Sequence, residues 1–482
     1  MTWRASPWFG AVAALLAGAL FLVSLDIGPF GPLALIAPVA VLVYALSASR
    51  WQSVAAAAFL ARIIGALGLV WAYHDVLPPI ALVLWILGHA VGFALIVLAT
   101  RWIARSAPGW AALISFPLLA TASEFLFGLV SPHGSFGAIG YALVDVLPLL
   151  QLGSVGGLAA LAFCAGLFAM TCAMAIVQPR AWRSLAFVGG APIVLATVFG
   201  FWRLNEPYDA HKRVALIAVD SLSGRASARN ADTAEIVNAY ATAVRALDGD
   251  ADFVVLPEGV FSSSPALSAA VETPLQNAAN AVGALVIAGF DETLADGRHV
   301  NSAVIFTPGA PTQRYFKRRL IPGLDVGYAT GSSVFVDGAN GVAICKDLDF
   351  PAMIREYGER GVTLMLAPSW DFRTDGRLHA RMAVVRGVEN GFALARAATD
   401  GRLTLSDRYG RVVAEAVTSR DDATVLTADI GLRSGGTPYA RYGDVFAWIA
   451  VGAAVVLIGS RLASRSKSRP AESPTEVRST RA

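Results

Sequence analysis

Three residues of this 482-residue chain have types and settings that together could make and break an acyl bond. Glu258 follows the apolar run FVVLP, Lys317 follows RYF, and Cys345 ends GVAIC. Each is expected at the end of a β-strand, where α/β proteins tend to place their chemistry. A thiol at its ordinary pKa is largely protonated at neutral pH, and becomes a nucleophile when a base takes its proton or a cation steadies the thiolate. A glutamate and a lysine supply one of each. Taken alone, Cys345 reads equally well as a small buried hydrophobe. The other two cysteines, Cys164 and Cys172, lie in an apolar run, and the three offer no disulfide framework.

These residues need elements to hold them. From Val214 the chain reads VALIAV, a polar segment, a helical stretch from Ala231 to Leu247, and then FVVLP, a β-α-β pattern. Further strands are expected at ALVIAGF, SAVIFT, GVAIC, TLMLAPS, FALARAA and ATVLTADI, with helices from Ala352 to Arg360 and Leu378 to Glu389. The pattern predicts an α/β sandwich.

Within that frame LPEGVF, YFKRRLIP, ICKDLDFP and RGVENG resemble the four signature segments of the nitrilase, or carbon-nitrogen hydrolase, superfamily. The resemblance implies a Glu-Lys-Cys triad. Glu258 would be the general base and Cys345 the nucleophile, while Lys317 and the backbone N–H of Lys346 would hold the tetrahedral oxyanion. Glu389 matches the superfamily's structural glutamate.

The rest of the chain is of another kind. It is 55% hydrophobic and 15% charged, with a mean hydropathy of +0.57, too apolar for an ordinary soluble domain. Apolar runs able to cross a hydrocarbon core of roughly 30 Å occur near Pro7 to Leu25, Pro29 to Ala48, Val54 to Tyr73, Pro79 to Ala99, Trp110 to Val130, Gly153 to Val177 and Ser184 to Trp202. A shorter eighth runs from Val445 to Gly459. Arg4, Arg50, Arg101 with Arg105, Arg180 with Arg183, and Arg461, Arg465, Lys467 and Arg469 fall on alternate connections, which places those on the cytoplasmic side and the polar domain outside. The expected organisation is a seven-helix membrane domain over residues 1–204, a catalytic domain over 211–432, an eighth helix over 443–461 and a disordered cytoplasmic tail over 462–482.

Arg62, His89 and Glu124 fall inside predicted spans, where a charged group is costly unless it meets a partner or a water-filled cavity. For His89 a hydrogen-bonded structural role is the better reading, whereas Glu124 is a candidate for lining a headgroup site. The formal charge of +3 without a basic, aromatic-laced stripe argues against nucleic acid. Six dispersed histidines without HExxH or paired CxxC spacing argue against a metal, and no nucleotide loop or other cofactor motif is present.

The combination of apolar spans, an outward nitrilase-like domain and a last span resembles the apolipoprotein N-acyltransferase branch, as does LPLLQLGSVGGLAALAF. The resemblance implies ping-pong transfer in a bacterial inner membrane. A phospholipid, typically phosphatidylethanolamine, acylates the cysteine, and the amine of a diacylglyceryl-cysteine lipoprotein takes the acyl chain. The sequence departs from that pattern in four places. Asp325 and Asp347 stand where glutamates are usual, and Lys346 stands in place of an aromatic residue. Only 28 positions separate Lys317 from Cys345, where a longer mobile arm is usual, and SPHGSFGAIGY, with His133, replaces an aromatic-proline segment. The chain therefore reads as a divergent member. The alternative is a membrane-tethered nitrilase-type amidase or hydrolase, in which water resolves the thioester; a non-catalytic scaffold is the third reading.

Overall fold

The computed structural model describes residues 3–106, 108–219 and 233–467. Two bodies are present, a helical one rich in alanine and glycine and a β-sandwich carrying the polar residues.

Among the described residues, seven helices are long and apolar enough to cross a membrane: Pro7–Ser24, Trp51–Tyr73, Pro79–Ala104, Gly109–Val130, Gly153–Val177, Pro179–Leu204 and Val445–Ala463. Eight were expected from the sequence. The second apolar run breaks into a 3-10 turn, Gly31–Leu35, and a short helix, Val39–Ser47. Pro32 and Pro38 account for the break, because proline lacks the N–H a continuing helix needs and its ring crowds the preceding turn. The last helix runs on to Lys467, and the expected tail beyond it lies outside the described residues. Small residues let the helices approach closely. A Cβ on Gly166 would stand 2.9 Å from Pro117 Cα, and one on Gly200 only 1.8 Å from the Pro148 carbonyl oxygen.

In the sandwich the first sheet contains β1 (Ala210–Ala218), β2 (Phe253–Val255), β3 (Phe261–Ser263), β4 (Leu285–Thr293), β5 (His299–Phe306), β6 (Gln313–Phe316) and β13 (Thr424–Leu432). Their order is β13-β1-β2-β4-β5-β6, with β3 also pairing β4. The second sheet contains β7 (Phe335–Asp337), β8 (Asn340–Val342), β9 (Leu364–Trp370), β10 (Ala393–Thr399), β11 (Arg402–Ser406) and β12 (Val412–Val417), in the order β12-β11-β10-β9-β8-β7. The pairs β1–β2, β2–β4, β8–β9 and β9–β10 are parallel, each joined through a helix. Buried parallel strands read as unbroken apolar runs, which is why these were visible in the sequence, together with the antiparallel β5 and β13. The short or alternating β3, β7, β11 and β12 were not anticipated.

Three apolar layers hold the domain. Val214, Leu216, Val255 and Ile287 of one sheet meet Leu364, Leu366 and Ala395 of the other. Helices Thr233–Arg245 and Ser268–Val282 cover the first sheet. Helices Pro351–Glu359 and Gly376–Asn390 cover the second, and their outer faces, with Met353, Met382 and Val385, share a cluster with Leu150, Leu161 and Ala165 of the membrane body. The catalytic domain therefore sits on the helices through its own core helices.

Candidate active site

Glu258, Lys317 and Cys345 come together just beyond the carboxyl ends of β2, β6 and β8. Glu258 lies just beyond β2, where its N–H donates to the Ser369 carbonyl of the opposite sheet (3.1 Å). Gly289 is required beside it, since a Cβ there would stand 2.4 Å from Glu258 Cα. Lys317 follows β6, and its buried Nζ lies 2.7 Å from Glu258 Oε1 and 3.0 Å from Asp325 Oδ2. Asn301 donates to the same Glu258 oxygen (2.7 Å), and the Ile321 N–H fixes Asp325 Oδ2 (2.8 Å). A carboxylate one methylene shorter than glutamate thus still reaches the ammonium. Burial disfavours the charge on Lys317, but Glu258 and Asp325 outweigh it and hold its pKa above the ordinary lysine value.

Cys345 does not end a strand. β8 stops at Val342, and Cys345 opens the 3-10 turn Cys345–Asp349 with φ at +40°, a strained position for a residue with a Cβ. Its Sγ donates to the Trp370 carbonyl (3.3 Å). Burial and the Glu258 carboxylate push the thiol pKa well above its ordinary value, against the pull of Lys317 and Arg396. At rest the sulfur is a thiol, and its activation requires a base.

Asp347 does not touch Lys317. Its carboxylate accepts from Tyr315 Oη (2.7 Å), Ile344 N–H (3.0 Å), Arg318 N–H (3.1 Å) and Arg319 N–H (2.8 Å), tying the lysine segment to the cysteine turn. Burial raises its pKa to about 6. Lys346 is buried, with Nζ 2.6 Å from Asp349 Oδ2 and 3.3 Å from His133 Nδ1. His133 accordingly packs under the turn, against Trp85. The Ser135 N–H and hydroxyl both donate to the Asp349 carbonyl, at 3.0 and 2.8 Å, so the 131–138 loop is fastened to the cysteine turn. Glu389 stands away from the triad: Oε1 accepts from the Leu158 N–H (2.8 Å) and Oε2 pairs with Arg386 (2.8 Å).

Several partners were not found in the sequence. Asn301 is one; the buried Arg396–Asp371 pair beside the thiol is another. A third is Asp375, which accepts from Tyr73 Oη (2.7 Å) and lies 3.2 Å from His379 Nε2. Only the i,i+4 spacing of Asp375 and His379 offered a local signal.

The mouth of the site is built from both bodies. A pocket of about 80 Å³ at Cys345 is walled by Tyr73, Leu82 and Trp85 of the membrane helices, together with Phe136, Phe372 and His379. Beyond Phe136 a larger cavity, about 380 Å³, runs into the helical bundle and is lined by Arg62, His89 and Glu124 as well as Arg319 of the catalytic domain. Glu124 Oε1 accepts from the Ile139 N–H (3.1 Å), and His89 Nδ1 lies 2.9 Å from the Trp85 carbonyl of its own helix. The described residues hold no cluster of three or more His, Cys, Asp or Glu suited to a metal ion.

Residues 213–437 match the carbon-nitrogen hydrolase family. An apolipoprotein N-acyltransferase of Geobacter metallireducens is 26% identical over 404 residues, covering 75% of this chain and 76% of the relative. One from Vibrio cholerae is 25% identical and covers 88% of this chain and 92% of the relative, membrane body included. Across most of its length the chain is similar to apolipoprotein N-acyltransferases. An (R)-stereoselective amidase from a Pseudomonas species is 27% identical over 213 residues, covering 39% of this chain and 77% of the relative. The two acyltransferase relatives cover 75% and 88% of this chain, more than the sandwich domain alone spans. The protein is thus a multi-helix membrane enzyme of the N-acyltransferase and carbon-nitrogen hydrolase type.

Proposed function

We propose that the protein moves a fatty acyl chain from a membrane phospholipid, through a thioester on Cys345, to the N-terminal amine of a diacylglyceryl lipoprotein at the outer face of a bacterial inner membrane. The observation that carries this reading is the wall of the thiol pocket, which Tyr73, Leu82 and Trp85 of the membrane helices complete. A hydrolase of small soluble amides has no use for a pocket open to lipid chains.

The geometry suggests the following course. Glu258 takes the Cys345 proton as sulfur attacks the ester carbonyl, and Lys317 Nζ with the Lys346 N–H receives the oxyanion. On collapse the proton passes from Glu258 to the departing lysophospholipid alkoxide, leaving the thioester. An amine then attacks the thioester carbonyl, and the thiolate leaves and is reprotonated. An ester donor and an amide product make the transfer downhill without a nucleotide. Asp325 keeps Lys317 aimed, and Asp347 keeps its segment in register with the turn.

The test is incubation with labelled phosphatidylethanolamine, followed by a diacylglyceryl-cysteine peptide. A hydroxylamine-labile label on the wild type, absent from Cys345→Ala, and a third acyl chain on the peptide amine are expected. Release of free fatty acid alone would replace transfer with hydrolysis.

A further inference from the structure

The proton count of the two half-reactions differs. In the first, an ester and a thiol give a thioester and an alcohol, and the single proton carried by Glu258 is returned to the alkoxide. In the second, an α-amine with a pKa of about 7.7–8.0 arrives at neutral pH largely as an ammonium. Its nitrogen carries three protons and ends as an amide with one. One of the two lost protons restores the Cys345 thiol; the other needs a second acceptor. His379 lines the Cys345 pocket.

His379 is built as an acid–base group. Its Nε2 lies 3.2 Å from Asp375 Oδ2, and Asp375 is itself held by Tyr73 Oη at 2.7 Å. Its Nδ1 stands 4.0 Å from Asp349 Oδ1, too far for a hydrogen bond but close enough for that charge to steady an imidazolium. A carboxylate behind one ring nitrogen fixes the tautomer that leaves the other free to take a proton. The charged groups facing the ring are Asp375 on its own helix, Asp349, whose other oxygen binds Lys346, and Asp371, which pairs with Arg396. From the membrane body, Tyr73 bonds Asp375, His133 bonds Lys346, and the Phe136 ring lies 5.9 Å from the imidazole. We propose that His379, oriented by Asp375, takes the proton that the acceptor ammonium sheds before attack, so that aminolysis uses a base separate from Glu258. Burial opposes the imidazolium, yet Asp375 and Asp349 together hold its pKa above the ordinary histidine value, toward that of the amine it would deprotonate.

The inference rests on the acyl-transfer reading, and the half-reactions separate the two. With the full-length protein in detergent and labelled phosphatidylethanolamine, His379→Gln should slow thioester formation far less than it slows acyl transfer. It should then pass the chain to a diacylglyceryl-cysteine peptide about 100-fold more slowly at pH 7. Hydroxylamine, which arrives neutral, should discharge both thioesters equally. Asp375→Asn keeps the imidazole and removes the charge that raises it, so the acid limb of the transfer rate should move to lower pH. Transfer by His379→Gln at the wild-type rate would overturn the proposal. So would a fall in thioester formation or hydroxylamine discharge matching the fall in transfer, since that marks a structural role. If the wild type forms no thioester, it is the acyl-transfer reading that fails.

Discussion

In the proposed mechanism Lys317 serves both stability and chemistry. Its ammonium is buried between Glu258 and Asp325, and removing it leaves two carboxylates facing each other without water. Loss of one partner from a buried ion pair costs roughly 3–5 kcal/mol. Lys317→Ala should therefore abolish nearly all turnover and also lower the thermal midpoint. Cys345→Ala and Glu258→Ala should abolish turnover with smaller losses of stability, because neither strands a buried cation without its second carboxylate. Residues that act as a unit fail together, so wild-type-like turnover in any of the three refutes the assignment. Asp325→Ala leaves Nζ aimed by Glu258 alone and should lower thioester formation about 100-fold. The residues of the proposed triad were legible because each sits in its own short string, just beyond a strand and with its chemistry on display. Asn301, Arg396 and Tyr73 were not, because each acquires meaning from a partner across the fold; Tyr73 and Asp375 are 302 positions apart.

At the scale of elements, the helix Gly153–Val177 is broken at Gly156 and Gly157, whose backbone angles are not helical, with φ of Gly157 at +62°. A Cβ on Gly157 would stand 2.4 Å from the Tyr439 ring, so two constraints demand glycine there. The break frees the Leu158 N–H, and Glu389 of the catalytic domain accepts from it. A carboxylate at the start of a helix answers both the unpaired N–H and the helix dipole. Glu389→Ala removes that cap and strands Arg386, so a loss of about 3–5 kcal/mol is expected in thermal unfolding. Burial raises the Glu389 carboxyl to about 7 from an ordinary 4.5. Between those values the folded protein holds a proton that the unfolded chain has released, so this group's contribution to stability falls as pH rises through that window. Glu389→Gln should flatten that slope, as read from the midpoint between pH 5 and 8. Sequence patterning found the long apolar helices and the buried parallel strands. It missed Ser268–Val282, which carries Pro274, and read the proline-punctuated second run as one span.

For the molecule as a whole, the site exists only where two bodies meet. The loop at 131–138 carries His133 and Phe136 to the cysteine turn, and Gly134 makes the approach possible: its φ is +57°, and a Cβ there would stand 2.4 Å from the Asp349 carbonyl oxygen. Gly134→Val should push the loop off the turn and lower thioester formation more than about tenfold. The catalytic domain should remain folded, since its own core lies elsewhere; near-wild-type activity would show that the loop is dispensable.

The break at Gly156 and Gly157 also has a mechanical consequence. Below it, residues 158–177 form a helical piece of about 30 Å at 1.5 Å per residue, the thickness of a hydrocarbon core. Above it, the helical turns of Leu147–Leu150 and residues 153–155 stay with the catalytic domain. A bilayer that is thinner or thicker than this length is accommodated by tilting the lower piece. Glu389 ties the top of that piece to the sandwich domain through the Leu158 N–H, so the membrane-length part of the helix begins where the two bodies are joined.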